Sequence, residues 1–138
     1  MADTYARKLF YHGAAVIWVG LLAGLPFGMI IMGRMPGDTR AWHMAHLEGI
    51  LNGLLTIAAG AALGRLTLDE RRIPLYAWSF IVAAWGNVFA SIFAAVVHQR
   101  GLELALPLSN LVVFVGFVIA IVAVLIGLYL MMHGSKES

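Results

Sequence analysis

The segment that decides the fold reads WHMAHLEGILNG and runs from Trp42 to Gly53. It begins a long apolar run, yet it contains two histidines, a carboxylate and an amide. Ionisable and polar groups cost free energy inside a lipid bilayer, so those that occur there are often functional. We therefore interpret the rest of the chain as a small membrane bundle that holds this segment.

The composition of the chain indicates that its solvent is lipid. Of its 138 residues, 62% are hydrophobic and 12% are charged, whereas soluble domains have about 45–50% and about 25%. The mean hydropathy is +0.89. Cysteine is absent, which excludes disulfides, thiolate metal ligands and a thiol nucleophile. The net charge of +2 comes from loop residues, so it reflects membrane topology and not nucleic-acid binding.

Four apolar segments predict an all-α integral membrane protein, a bundle of four transmembrane helices that forms a single domain over residues 1–138. Each segment has about 20–25 residues, which is enough to cross a hydrocarbon core of about 30 Å. A Pro-Gly turn, a charged loop and a short polar turn separate the segments. The helices are predicted at about 9–32, 40–63, 74–97 and 107–132.

Basic residues predict the orientation of the bundle, because four spans place both termini on one side of the membrane. That side holds six Lys and Arg residues: Arg7, Lys8, Arg65, Arg71, Arg72 and Lys136. The other side holds three: Arg34, Arg40 and Arg100. Cytoplasmic loops carry an excess of basic residues, so we expect both termini in the cytoplasm and the protein in a bacterial-type inner membrane.

The opening segment presents two faces of one helix. At about 100° per residue, Glu48 and Asn52 project together, and His46 points about 130–160° away from them. His46 shares its side of the helix with Gly49 and Gly53. A single site that uses both faces must therefore be wide or lie between subunits. Two separate polar contacts with no site at all would fit equally well.

Helix three carries polar residues at a comparable depth. Asn87 and Ser91 lie four residues apart on one side of it, near the expected level of Asn52. Together with His46 and Glu48, these side chains predict a polar layer in the middle to outer half of the membrane. A carboxylate at that depth is more often functional than structural.

Each polar residue also has a structural interpretation. His46 is either a metal or haem ligand or a histidine hydrogen-bonded to a neighbouring helix. Glycines four residues apart commonly allow close helix packing, and membrane asparagines commonly bond to a neighbouring helix. Trp85 lies too deep for an aromatic belt and either lines a cavity or fills the bundle. The topology places His12 near the membrane side with the termini and places His43 and His98 near the opposite side. The sequence predicts no role for these three histidines.

Three motifs resemble those of a known family. They are RKLFYHG at residues 7–13, AHLEGILNG at residues 45–53 and WGNV at residues 85–88. The order of these motifs, the number of predicted helices and the chain length resemble those of the small four-helix membrane isomerases. This family includes hydroxylaminobenzene mutase and styrene oxide isomerase. The resemblance covers nearly the whole chain.

The resemblance implies a homotrimer that carries haem b between its subunits in the lipid bilayer. His46 would ligate the iron, Asn52 would contribute to the site, and the open face of the iron would act as a Lewis acid on a small aromatic substrate. The candidate residues for binding the cofactor are His46, Gly49, Gly53 and Trp85. The candidate catalytic residues are Asn52, Glu48, Asn87 and Ser91.

The sequence departs from the epoxide isomerases at three places. They carry Tyr at the position of Ser91, Asp at the position of Ala83, and His-Ser-Gly-Pro at residues 46–49. These differences favour a mutase that converts an aryl hydroxylamine to an aminophenol, with epoxide-to-aldehyde rearrangement as the alternative. Two other classes stay open. A small proton-coupled exporter would bind cations at Glu48, and a haem electron carrier would need a second axial ligand.

Overall fold

The protein consists of four long helices. The computed structural model describes residues 1–136, with α1 at Ala2–Ile31, α2 at Thr39–Leu63, α3 at Arg72–Val97 and α4 at Leu108–Lys136. Each helix contains an apolar window long enough to cross a membrane, with mean hydropathies from 1.3 to 3.2. The predicted all-α architecture with four membrane-spanning helices is thus confirmed. The orientation of the termini and the trimer stay predictions.

The outer helices are longer than the sequence predicted. The start of α1 is at Ala2 and not near Leu9, and α4 continues to Lys136. Hydropathy marks only the part of a helix that lies in lipid, whereas backbone hydrogen bonds continue until a residue breaks them. Residues 2–8 contain neither proline nor glycine, so the helix continues through them. The remaining boundaries lie within two residues of the prediction.

The start of α2 is fixed by Asp38. Its carboxylate accepts hydrogen bonds from the backbone N–H groups of Arg40 at 2.9 Å and Ala41 at 3.1 Å. This cap satisfies donors that the first turn of a helix leaves without partners. The segment with His46 and Glu48 therefore begins one turn inside a well-defined helix end.

The contact between α1 and α2 is backbone against backbone. A Cβ atom on Gly49 would overlap the Cα atom of Gly20, and one on Gly53 would lie 2.6 Å from the carbonyl oxygen of Gly13. Small residues let two membrane helices approach this closely. The glycine face of α2 therefore packs on α1 within the same chain. The space that the sequence predicted for a flat cofactor beside Gly49 and Gly53 is filled by α1.

The third helix is the centre of the bundle. It packs against α1, α2 and α4, whereas α4 contacts only α3 among the helices of the described chain. One core cluster joins α1, α2, α3 and α4 around Tyr76 and Phe80, and the Tyr76 hydroxyl donates to the carbonyl of Ala59 at 2.9 Å. Because α4 does not pack on α2, a space remains between these two helices.

The glycine contact gives a stability prediction. Replacing Gly49 with valine forces α1 and α2 apart, and overpacking of this kind costs about 1–3 kcal/mol. We expect Gly49→Val to lower the midpoint of unfolding in detergent, followed by circular dichroism. Gly28→Val is the matched control, because a Cβ at Gly28 meets no atom within 4 Å. Equal midpoints for the two variants would contradict the packing described here.

Candidate active site

A carboxylate and two amides meet between α2 and α3. Oε2 of Glu48 accepts a hydrogen bond from Nδ2 of Asn52 at 2.8 Å and another from Nδ2 of Asn87 at 2.6 Å. Glu48 and Asn52 lie one turn apart on α2, which places them on the same face. The structure therefore brings together three of the four candidate catalytic residues, across the helix pair that the sequence indicated.

Asn52 and Asn87 differ in how many of their amide N–H groups are already hydrogen-bonded. Asn52 uses both N–H groups of its amide on Glu48, one on the carboxylate and one on the backbone carbonyl at 2.8 Å. Its own carbonyl on the backbone accepts from the Thr56 hydroxyl at 2.7 Å. Asn87 uses only one N–H group, so its second N–H and Oε1 of Glu48 have no partner among the described residues. The side-chain oxygens of Asn52 and Asn87 are likewise without a partner among the described residues, so the cluster offers a ligand both N–H donors and oxygen acceptors.

The cluster borders a cavity of about 480 Å³. It lies between α2, α3 and α4 and is closed at one end by the loop after α3. Its walls are formed by Glu48, Asn52, Ala83, Asn87, Gly101, Leu102, Phe114, Phe117, Val118, Ala120, Ile121 and Val124. Only three of these side chains are polar, and they are the hydrogen-bonded ones. A mainly apolar cavity of this size with a few converging polar groups is typical of a small-molecule site.

A second cavity of about 270 Å³ adjoins the first. The two share Glu48, Leu102 and Phe117 as lining residues. The second cavity reaches the charged residues Asp38, Arg40 and Arg100 at one end of the bundle. Together the two cavities therefore connect the half-buried carboxylate of Glu48 with a polar end of the molecule.

Ser91 lies apart from the carboxylate cluster. Its side chain is buried and lines the second cavity, but not the first. Ala83 lines the first cavity. The two positions at which helix three departs from the epoxide isomerase pattern therefore both face the cavity system. Ser91 and Ala83 are smaller than the Tyr and Asp that the resemblance implied at these positions, and they make the cavity walls less polar.

His46 lies on the opposite face of α2, as the helical period predicts. Its Nδ1 atom is 2.8 Å from the carbonyl oxygen of Gly20 on α1. A carbonyl only accepts hydrogen bonds, so in the neutral ring Nδ1 carries the proton and Nε2 keeps its lone pair. Metal-binding histidines usually have this arrangement. Phe27 stacks on His43 with ring centroids 4.7 Å apart and lies parallel to His46 at 6.4 Å.

This donor set suits iron held in a porphyrin better than a bare ion. No three His, Asp or Glu side chains converge anywhere in residues 1–136. A bare metal ion needs several protein ligands, whereas a porphyrin brings four nitrogen ligands of its own, so that a single histidine would suffice. His46 is the residue that would hold such a group. Gly49 and Gly53 would not touch it, because α1 packs on them.

Trp85 of α3 contacts His12 of α1. Its indole Nε1–H donates to Nδ1 of His12 at 3.1 Å, and its ring stacks on Phe89 with centroids 5.2 Å apart. Because Nδ1 of His12 accepts this bond, the proton of the neutral ring sits on Nε2. Trp85 thus lies in the contact between α1 and α3 and does not line either cavity. That Trp85 binds a cofactor stays a prediction, and in the structure its indole N–H is bound to His12.

Asn110 is a residue that the sequence did not single out. Its Oδ1 accepts from the backbone N–H of Gly101 at 3.0 Å, and its Nδ2 donates to the carbonyls of Glu103 at 3.0 Å and Ala105 at 2.9 Å. These bonds hold the loop that closes the first cavity. Gly101 adopts φ +60° there, where a side chain would be strained. An asparagine at the start of a strongly apolar helix, nine residues after a glycine, was the available signal.

Comparison with known proteins places the chain in a family. Residues 5–135 match the family model described as styrene oxide isomerase. The styrene-oxide isomerase of Pseudomonas fluorescens is 28% identical to it over 114 residues, which cover 74% of this chain and 68% of that protein. The family match spans all four helices and both cavities. The chain therefore belongs to the styrene oxide isomerase family and is a membrane-bound isomerase.

Proposed function

We propose that this protein isomerises small apolar epoxides to carbonyl compounds in the cavity beside Glu48. The observation that carries the proposal is a hydrogen-bonded carboxylate facing an apolar cavity of about 480 Å³ in a member of this family. The sequence favoured rearrangement of an aryl hydroxylamine. Family membership instead supports the alternative, an epoxide, and we adopt it here.

The reaction needs no second substrate. One C–O bond of the epoxide breaks with positive charge developing on its carbon, a hydrogen migrates to that carbon with its electron pair, and a C=O bond forms. No proton, electron or water is gained or lost. The apolar walls exclude water that would otherwise trap the cationic carbon.

The polar residues of the cavity have distinct proposed roles. The second N–H of Asn87 donates to the epoxide oxygen, where negative charge develops. The Glu48 carboxylate stabilises the positive charge on the carbon through space, and fixed groups of this kind act strongly in a site without water. Asn52 acts as a positioning residue, because both its amide N–H groups hold Glu48. Ser91 is farther along the cavity system and is proposed to contact the substrate only as it enters.

We also propose that haem b binds at Nε2 of His46. The hydrogen bond from Nδ1 to Gly20 supports this proposal, because it leaves Nε2 able to ligate a metal. When bound, the iron supplies Lewis-acid chemistry toward an oxygen atom. His46 and Glu48 lie on opposite faces of α2, so one chain does not present both to one small substrate. We therefore propose a homo-oligomer, expected to be a trimer, with both termini on the cytoplasmic side of an inner membrane.

The role of Glu48 is tested with styrene oxide and the purified protein in detergent. We expect Glu48→Gln to lower kcat/KM by about 10²–10³-fold, because the variant loses a charge aimed at the reacting carbon. Glu70→Gln, in the exposed loop before α3, is the matched control and should keep the original rate. Gas chromatography of the aldehyde gives the rates. Similar rates for the two variants would remove Glu48 from the proposed site.

Two further measurements separate the alternatives. Formation of an aminophenol from phenylhydroxylamine, without consumption of the epoxide, would replace the proposed reaction with the mutase reaction. Efflux of an organic cation from vesicles, driven by a proton gradient and without any isomerisation, would indicate an exporter.

The role of His46 is tested by spectroscopy and does not depend on activity. Protein expressed in cells that make haem should show haem absorption in the visible range, and His46→Ala should lose it. His43→Ala is the control, because its ring lies one turn earlier on the same helix. Retention of haem by His46→Ala, or its loss only in His43→Ala, would move the axial ligand elsewhere.

A further inference from the structure

Glu48 has no basic partner in the structure. Within residues 1–136 the one ion pair joins Asp69 to Arg72, at 3.2 Å, in the loop before α3. Arg40 and Arg100 line the second cavity together with Glu48 but form no ion pair with it. The carboxylate is instead surrounded by neutral amides. A charge at membrane depth without an opposite charge is costly, and a cationic ligand would offset that cost.

The position of the Glu48 carboxylate is fixed by two neutral side chains. Both hydrogen bonds to its Oε2 come from amide N–H donors, those of Asn52 on α2 and Asn87 on α3. These bonds hold the carboxylate between the two helices, so that its position does not depend on a ligand. Oε1 remains without a partner among the described residues. The result is a preorganised carboxylate at the wall of an apolar cavity.

The opposite walls of this cavity suit an organic cation. Phe114 and Phe117 of α4 line it, and aliphatic side chains of α3 and α4 fill the rest. Aromatic rings attract cations through their negative faces, and proteins use such rings to bind quaternary ammonium groups. The cavity volume of about 480 Å³ is enough for one such ion with an aryl substituent.

From these observations we propose that the Glu48 cavity binds aryl-substituted quaternary ammonium ions, with the charged nitrogen beside Glu48 and the organic groups between Phe114 and Phe117. Such an ion resembles the cationic carbon of the proposed reaction in charge and shape, and is therefore an inhibitor. The inhibition rests on the proposed function. The binding rests only on the cavity, its charge and its rings.

The test compares two probes that differ only in charge. Benzyltrimethylammonium is the cation, and neopentylbenzene, in which carbon replaces nitrogen, is its neutral isostere. Binding to the full-length protein in an uncharged detergent is measured by calorimetry. We expect the cation to bind more tightly than the isostere by about tenfold or more. A quaternary nitrogen has no lone pair, so the probe cannot bind by ligating a metal.

Two variants locate the binding. Glu48→Gln should abolish the preference for the cation, whereas Glu70→Gln should keep it. If Glu48→Gln does not fold, Phe117→Leu serves instead, and loss of the aromatic face should weaken binding of the cation severalfold more than that of the isostere. Equal affinities for the two probes, or a preference that survives Glu48→Gln, would overturn the proposal.

The outcomes separate this inference from the proposed function. If the protein binds the cation at Glu48 but converts no epoxide, the cation site is supported and the proposed isomerase function is wrong. If the protein isomerises the epoxide but binds the two probes equally, only the proposed cation site is wrong.

Discussion

The backbones of α1 and α2 touch at Gly20 and Gly49, and the orientation of α2 depends on this contact. No side chain lies between the two helices at that point, so α2 cannot rotate about its axis without steric overlap. The same contact brings the Gly20 carbonyl to Nδ1 of His46. The helical period then turns Glu48 away from α1, toward α3 and the space beside α4. Both the candidate ligand and the candidate reaction site are thus set by where two glycines meet.

Hydrogen bonding explains how a carboxylate is tolerated at this depth. Hydrogen bonds to charged groups each contribute about 1.5–3 kcal/mol, and Glu48 receives two from side chains. Because these donors come from α2 and α3, the carboxylate also joins the two helices. The cavity beside it exists because α4 packs on α3 and leaves α2 uncovered.

Much of this arrangement was visible in the sequence. Hydropathy was sufficient to predict the four helices. The spacing of His46, Glu48 and Asn52 was sufficient to predict that they occupy two faces of α2. The depth of Asn87 on helix three also predicted that it lies near Glu48 and Asn52. Periodicity, however, reports only the direction in which a side chain leaves its helix. It does not report which neighbour covers that face, so Gly49 and Gly53 were assigned to a cofactor although α1 lies there.

Contacts between distant parts of the chain were the part that the sequence did not reveal. The bond between Trp85 and His12 depends on how far α1 and α3 are displaced along their axes, and no local pattern encodes that displacement. The loop held by Asn110 is similar, since its three bonds to the backbone follow from the path of residues 99–107 and not from their composition. Both features became apparent only when the helices were in place.

We propose that the substrate binds on the Glu48 face of α2 and not on the face that packs against α1. The most direct measurement is photolabelling of the protein with a small aryl diazirine of substrate size, followed by peptide mass spectrometry, with and without excess styrene oxide. We expect labels on the lining residues of α4, including Phe117 and Ile121, that the epoxide suppresses. Suppressible labels confined to the surroundings of Phe27 and His43, with none on α4, would contradict it.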